Sequence, residues 1–283
     1  MNSDLLLTGI LQGLILALTT YGVMVPFRIL HFADLTAEGA YPLGGAVCSS
    51  LLLMGSPTVL AIIMGAIGAG CMGIATSLVH LRLKVNSLLS GIILSTMVYS
   101  VNLRLLGKPN VALFHRALLF HPDHLTHNVL IVALILLGTV LPLMCFLKTE
   151  RGLLMRAVGL NPSFAKRQGI SVAHYTILGL FIGGCFTGLS GGLMVELQQY
   201  VDVGMGVGVV IHALAALMLG EVILGNDTLN KQLLAPLVGA LVYQQIQGIA
   251  LSIGLAPSDL KCFTGFLVLL VIAMQRKKTG EPS

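Results

Sequence analysis

Residues 128–147 read NVLIVALILLGTVLPLMCFL, and Lys148-Thr149-Glu150-Arg151 follow at once. The run carries no charged side chain. At about 1.5 Å per residue a helix of this length spans roughly 30 Å, the thickness of a bilayer's hydrocarbon core. Lipid offers backbone amides no hydrogen-bond partner, so such a run crosses as a helix or not at all.

The same pattern recurs on both sides. Apolar runs broken by charges, Pro and Gly place helices near 5–25, 37–54, 57–81, 86–106, 128–147, 172–198, 207–224, 233–254 and 260–275. The expectation is an all-α polytopic membrane protein of about nine transmembrane helices, eight or ten if one broken helix is merged or split. Composition agrees: the 283 residues are 56% hydrophobic and 10% charged, with a mean hydropathy of +0.94. Soluble domains average about 25% charged residues, so a water-soluble fold is excluded. A single transmembrane domain over 1–283 uses up the sequence. Any nucleotide-hydrolysing or solute-capturing module is then expected on another chain. The first run lacks a basic leader and an A-x-A cleavage site and reads as a retained helix.

A pI near 9.0 raises the question of nucleic acid. The basic residues instead sit in loops beside the helices, where they set orientation, and no nucleic-acid partner is expected. Arg28, Arg82, Lys84, Lys148, Arg151, Arg156, Lys166, Arg167, Lys231 and the tail Arg276-Lys277-Lys278 fall on one side. Arg104, Lys108, Arg116 and Lys261 fall on the other. The positive-inside rule puts the first set in the cytoplasm, with the N-terminus outside and the C-terminus inside. Cys48, Cys71, Cys145, Cys185 and Cys262 stand singly in apolar runs and read as small buried apolar residues. His115, His121, His124 and His127 flank Pro122 at irregular spacing, which favours a solvated outer loop over a metal site.

Phe32-Ala33-Asp34-Leu35 after the first helix resembles Tyr200-Val201-Asp202-Val203 after the sixth, and the charge-derived topology puts them on opposite faces. Two inverted halves, about 5–106 and 172–275, would account for this, with the solute path at their junction. Pro42 with Gly44-Gly45, and Gly204, Gly206 and Gly208, interrupt the two halves in matching places.

Ionisable residues within spanning helices cost several kcal/mol by roughly any scale, so they face the bundle interior or a watery path. If the second helix starts at Asp34, the carboxylates of Asp34 and Glu38 share a face. Asp34 either caps that helix or, with Thr36, Glu38 and the Gly39 backbone, lines the path. Asp202 has the same two readings for the seventh helix. Glu221, late in that helix, opposes the dipole and calls for a partner in the long inner loop or in another subunit. Gln244, Gln245 and Gln247 call for interhelical hydrogen bonds or a polar pore. Gly65, Gly68, Gly70, Gly183, Gly184, Gly188, Gly191 and Gly192 read as packing positions.

The inner loop, 148–171, has the pattern of two short helices. Thr149 caps the first, Leu153, Leu154 and Ala157 share its apolar side, and Gly159 ends it; Asn161 caps the second with Pro162 at its first position. Its basic residues suit anionic lipid or a protein groove. The order Gly152-x-x-x-Arg156-Ala157-x-Gly159-x-Asn161-Pro162, followed by Ala165-Lys166 and Gly169-Ile170, resembles the coupling loop that permeases of ATP-binding-cassette (ABC) importers insert into their ATPase. Further strings extend the resemblance over most of the chain: Asp34-Leu35-Thr36-Ala37-Glu38-Gly39, Leu89-Ser90-Gly91-Ile92, Gly188-Leu189-Ser190-Gly191-Gly192, and Gly220-Glu221. They are similar to permeases assigned to tryptophan and tyrosine import, within the branched-chain amino acid and ribose permease superfamily. The His-containing outer loop departs from that pattern.

The resemblance implies a homodimer in the bacterial inner membrane, two copies of an ABC ATPase and an extracytoplasmic solute-binding protein. It implies no cofactor on this chain. Glu150, Arg151, Gly152, Arg156, Ala157, Gly159, Asn161 and Pro162 would couple to the ATPase, while Asp34, Thr36, Glu38, Gly39, Asp202 and Glu221 would line the substrate path. The solute would be small, an amino acid and by likeness an aromatic one. The alternative is a stand-alone ion-coupled carrier with Glu38 or Glu221 as its proton site. No H-E-x-x-H, G-x-S-x-G or Walker A string supports a membrane enzyme.

Overall fold

A computed structural model describes residues 3–114, 119–120, 124–256 and 259–279. Within them are eleven α-helices and one pair of short strands. In chain order these are α1 Ser3–Met24, a π-helical turn Val25–Ile29, α2 Ala37–Leu53, α3 Thr58–Leu83, α4 Ser87–Leu106 and β1 Asn110–Ala112. Then come α5 Leu125–Lys148, α6 Glu150–Leu160, α7 Pro162–Arg167, α8 Val172–Gln198, β2 Tyr200–Asp202, α9 Val209–Leu224, α10 Leu229–Ser252 and α11 Leu260–Thr279. Among the described residues six stretches are long and apolar enough to cross a membrane: Leu5–Ile29, Thr58–Leu83, Ser87–Leu106, Leu125–Lys148, Val172–Gln198 and Leu229–Ser252. A helix stands at every position where the apolar runs predict one, with ends shifted by a few residues.

Two of these helices are short for physical reasons. α2 has 17 residues and α9 has 16, so each is about 25 Å long, less than the hydrocarbon thickness. A non-helical segment leads into each, 30–36 before α2 and the turns of 203–208 before α9. The helical stretch begun by α1 continues past its apolar pattern as the π turn Val25–Ile29, where Pro26 has no N–H to donate and the chain widens before stopping.

α1 and α8 form the centre. Thr19 Oγ1 donates to Ser190 Oγ at 2.7 Å, and Ser190 donates to the Ile15 carbonyl at 2.7 Å. Around this pair the contacts follow one rule. α3 packs on α8 and α10 on α1, while α2 packs on α3 and α4, and α9 on α10 and α11. Small residues permit the approach, as lipid-immersed helices need. A Cβ on Gly73 would lie 2.1 Å from the Leu180 carbonyl oxygen, and one on Gly188 would lie 2.3 Å from the Ala69 methyl. Tyr21 donates to the Leu233 carbonyl at 2.7 Å. The glutamines of α10 bond within the bundle: Gln244 to Gln12 at 2.6 Å, Gln245 to the Leu6 carbonyl at 3.2 Å, and Gln247 to Tyr243 at 2.7 Å.

Several local expectations are corrected. β1 and β2 pair antiparallel, Asn110 opposite Asp202 and Ala112 opposite Tyr200, in a chain read as all-helical. In α6 the buried side is Met155 and Val158, not Leu153, Leu154 and Ala157, because the groove left by the π turn and α8 accepts that face. Gly159 does not end α6, which runs to Leu160. It is a close-approach position, where a Cβ would lie 2.0 Å from the Ile29 carbonyl oxygen. Of the cysteines only Cys48 is buried; Cys185 is half-buried, and Cys71, Cys145 and Cys262 are exposed. His115 and His121 lie outside the described residues.

Candidate functional site

The segments that lead into α2 and α9 share a turn. Asp34 Oδ1 accepts the Thr36 N–H at 2.8 Å and also the Thr36 hydroxyl. Asp202 Oδ1 accepts the Gly204 N–H at 2.6 Å. The interval from Asp34 to Asp202 equals that from Thr36 to Gly204, so one Asx turn is built twice. Neither aspartate caps a helix, which removes one of the two readings the sequence left open for each. α2 starts at Ala37 with Thr36 as its cap residue, and α9 starts at Val209 with Gly208 in that role. Each chain bends first and becomes helical afterwards.

This separates Asp34 from Glu38, which do not share a helix face. Asp34 and the buried Thr36 face Thr76, Gly183 and Thr187, with Thr36 Oγ1 2.9 Å from Thr76 Oγ1, around a void of only about 10 Å³. Glu38 turns the other way. Its Oε1 accepts the Gly208 N–H at 3.2 Å, so a carboxylate in the first turn of α2 also satisfies the amino end of α9. Pro42, four residues on, has no N–H for the Glu38 carbonyl, and Gly206 packs directly over that carbonyl.

Two cavities flank the segment 203–208. One, of about 320 Å³, lies between α2, α4 and the segment, with Glu38, Gly39, Tyr99 and Asn102 in its walls. The other, of about 250 Å³, lies inside the bundle among Gln12, Thr19, Tyr41, His212 and Gln247. The sequence reading missed Asn102, Tyr41, Gln12 and His212 as cavity residues. Lone polar residues in apolar helices were the available signal. Asp202 stays beside the strands, where Asn110 Nδ2 lies 3.5 Å from Oδ2.

The opposite end of the bundle holds α6 and α7. Thr149 Oγ1 accepts the Gly152 N–H at 3.4 Å and Asn161 Oδ1 accepts the Phe164 N–H at 2.9 Å, the two caps the sequence calls for. Glu150, Arg151, Asn161 and Pro162 are exposed. Gly152 is buried, and a Cβ there would lie 2.4 Å from the Phe146 carbonyl oxygen. Arg156 and Ala157 line a cavity of about 470 Å³ with Arg28, His31 and Gln232. Glu221 pairs there with Arg28, Oε1 to Nε at 2.9 Å. The sequence reading sought its partner in the coupling loop or another subunit; the π turn supplies one. The six residues assigned to the substrate path thus fall in separate places, and only Glu38 and Gly39 share a sizeable cavity. Among the described residues no cluster of three His, Cys, Asp or Glu side chains is arranged to hold a metal.

Comparison with known proteins gives one family. Residues 5–273 match the model described as "Branched-chain amino acid transport system / permease component". A tyrosine transport system permease protein of Clostridioides difficile is 35% identical over 263 residues, 93% of this chain and 88% of that protein. An uncharacterized protein of Rickettsia prowazekii, RP368, is 29% identical over 97% of this chain and 99% of its own length. A nucleoside ABC transporter permease protein of Lactococcus lactis is 28% identical over 53% of this chain and 40% of its own. No solved structure matches.

Proposed function

The chain belongs to the branched-chain amino acid transport system permease family, and from that premise we propose that it is the membrane subunit of an ABC importer for a small solute, an amino acid and, by likeness to the tyrosine permease, an aromatic one. The single observation that carries this reading is the α6–α7 element. Two capped helices, anchored by Met155 and Val158, leave Glu150, Arg151 and Leu153 exposed, with Lys148, Lys166 and Arg167 exposed beside them. That is a docking surface for an ATPase. A carrier driven by an ion gradient has no use for it.

In this reading nine helices cross the bacterial inner membrane, with the N-terminus outside and α6–α7 in the cytoplasm, and the whole chain is one permease domain. It forms a homodimer, engages two ATPase copies and receives solute from a binding protein. The two halves are inverted repeats. Three observations support this. The Asp34–Thr36 turn repeats as Asp202–Gly204, the Thr19–Ser190 approach is matched by Gly22 against Thr187 at the same interval, and the helix pairings of one half recur in the other. ATP-driven closure of the ATPase pair would move α6 and, through the cavity it shares with Arg28, the Arg28–Glu221 pair at the end of α9.

Gentle solubilisation of a tagged chain is expected to recover an ABC ATPase in stoichiometric amount. Recovery of the chain alone after crosslinking would remove the reading. Arg156→Ala is expected to keep the complex and its ATPase activity while lowering solute uptake at least tenfold. Gly152 is unsuited to that test, since any side chain there collides with Phe146 and Leu147.

A further inference from the structure

The crevice between α4 and segment 203–208 contains a feature the fold does not explain. Asn102 is 1% exposed, and neither Oδ1 nor Nδ2 finds a partner in the protein. A buried amide left unbonded is costly, and hydrocarbon cannot satisfy it. Asn102 also lies in the wall of a cavity. Ser95, Tyr99 and Asn102 recur at helical spacing along α4 and place their side chains on one strip of that wall.

Apart from the Tyr99 phenol, which can donate or accept, the hydroxyls around the crevice are left as acceptors. Ser95 spends its hydroxyl proton on the Ile92 carbonyl at 2.9 Å, and Thr96 spends its own on the Ile92 and Ile93 carbonyls at 3.0 and 2.8 Å. Their lone pairs stay available. Glu38 brings a carboxylate of which one oxygen holds the Gly208 N–H, leaving acceptor capacity and a negative charge at the crevice floor. Asn102 Oδ1 adds another acceptor. A wall of acceptors around an anion selects a ligand that is cationic and rich in N–H donors. Asn102 Nδ2, the amide's own donor, suits an acidic oxygen attached to the same ligand.

We propose that this crevice, with Glu38 at its floor and Asn102 in its wall, binds the ammonium head of an amino-acid solute on its way through the permease. The inference rests on the importer reading and assigns its recognition site. Glu38 fixes the charge of the accepted group, while Asn102 engages the donor and acceptor that flank an amino acid's α-carbon. A nucleoside offers no such ammonium and would be refused.

The test uses the permease with its ATPase and binding protein in liposomes with ATP on the ATPase side. They are offered an equal mixture of the protein amino acids, their deaminated acid analogues and nucleosides. Accumulated solutes are identified by mass spectrometry. Only solutes that carry an ammonium group are expected to accumulate. Asn102→Leu and Glu38→Gln are each expected to lower accumulation at least tenfold, although the glutamine oxygen can still accept the Gly208 N–H. Asn102→Leu should melt no lower than the unaltered protein, because it deletes an amide with no partner. Accumulation of a solute without an ammonium group would overturn the proposal. So would full activity in both variants, or a Tm for Asn102→Leu well below that of the parent, which would make Asn102 structural. If the unaltered complex accumulates nothing with ATP, the importer reading fails and this inference with it.

Discussion

The lead-in to α2 and the lead-in to α9 are one device made from different materials. Both bend at an aspartate that takes the N–H two residues on. After the bend the first places Thr36 and Glu38, while the second places Gly204, Gly206 and Gly208. The difference shows at their meeting point, where Glu38 supplies a carboxylate and a carbonyl and the glycine segment supplies a bare backbone to receive them. One segment carries the chemistry and the other yields the space. An exactly duplicated protein would have two glutamates or two glycines there, and neither pairing would pack and hold a charge.

Substitutions break this comparison in a definite order. Gly206→Val should do most, because its Cβ would lie 1.9 Å from the Glu38 carbonyl oxygen and backbone cannot retreat. A cost of about 3 kcal/mol or more is expected, read as loss of the monodisperse peak in detergent size-exclusion. Asp34→Ala comes next. It removes a carboxylate bonded to both the N–H and the hydroxyl of Thr36, at about 2 kcal/mol for charged hydrogen bonds. Asp202→Ala opens the equivalent turn, whose following Gly204 is exposed, and should cost less than about 1 kcal/mol because water replaces the carboxylate. Ranking the two by thermal melting sharpens the comparison, and equal losses would deny it. Gly204→Ala should be nearly silent, within about 0.5 kcal/mol, since its Cβ meets only Asp202 Oδ1 at 3.1 Å.

How much of this was legible in the sequence follows from range. Apolar runs announce helices because lipid leaves the backbone no other choice, so each predicted run is a helix. The caps at Thr149 and Asn161 are legible because a cap and its N–H lie three residues apart. The starts of α2 and α9 are not, since an aspartate before a helix serves an Asx turn as readily as a cap. Gly159 looks like a helix stop, and only the distant Ile29 carbonyl reveals why no side chain fits. The bond from Glu38 to Gly208 joins residues 170 positions apart, and nothing local marks it. Asn102 was one polar residue in an apolar helix, and only the absence of a partner in three dimensions makes it informative.

As proposed, this chain moves solute with ATP hydrolysed by a partner docked at α6–α7. Uptake into liposomes holding the permease, its ATPase and binding protein, measured with no ion gradient, tests it most directly. Accumulation that requires ATP and the ATPase, and that falls at least tenfold with Arg156→Ala, is the result expected. Accumulation by the permease chain alone, following an imposed proton or sodium gradient and indifferent to ATP, would contradict it.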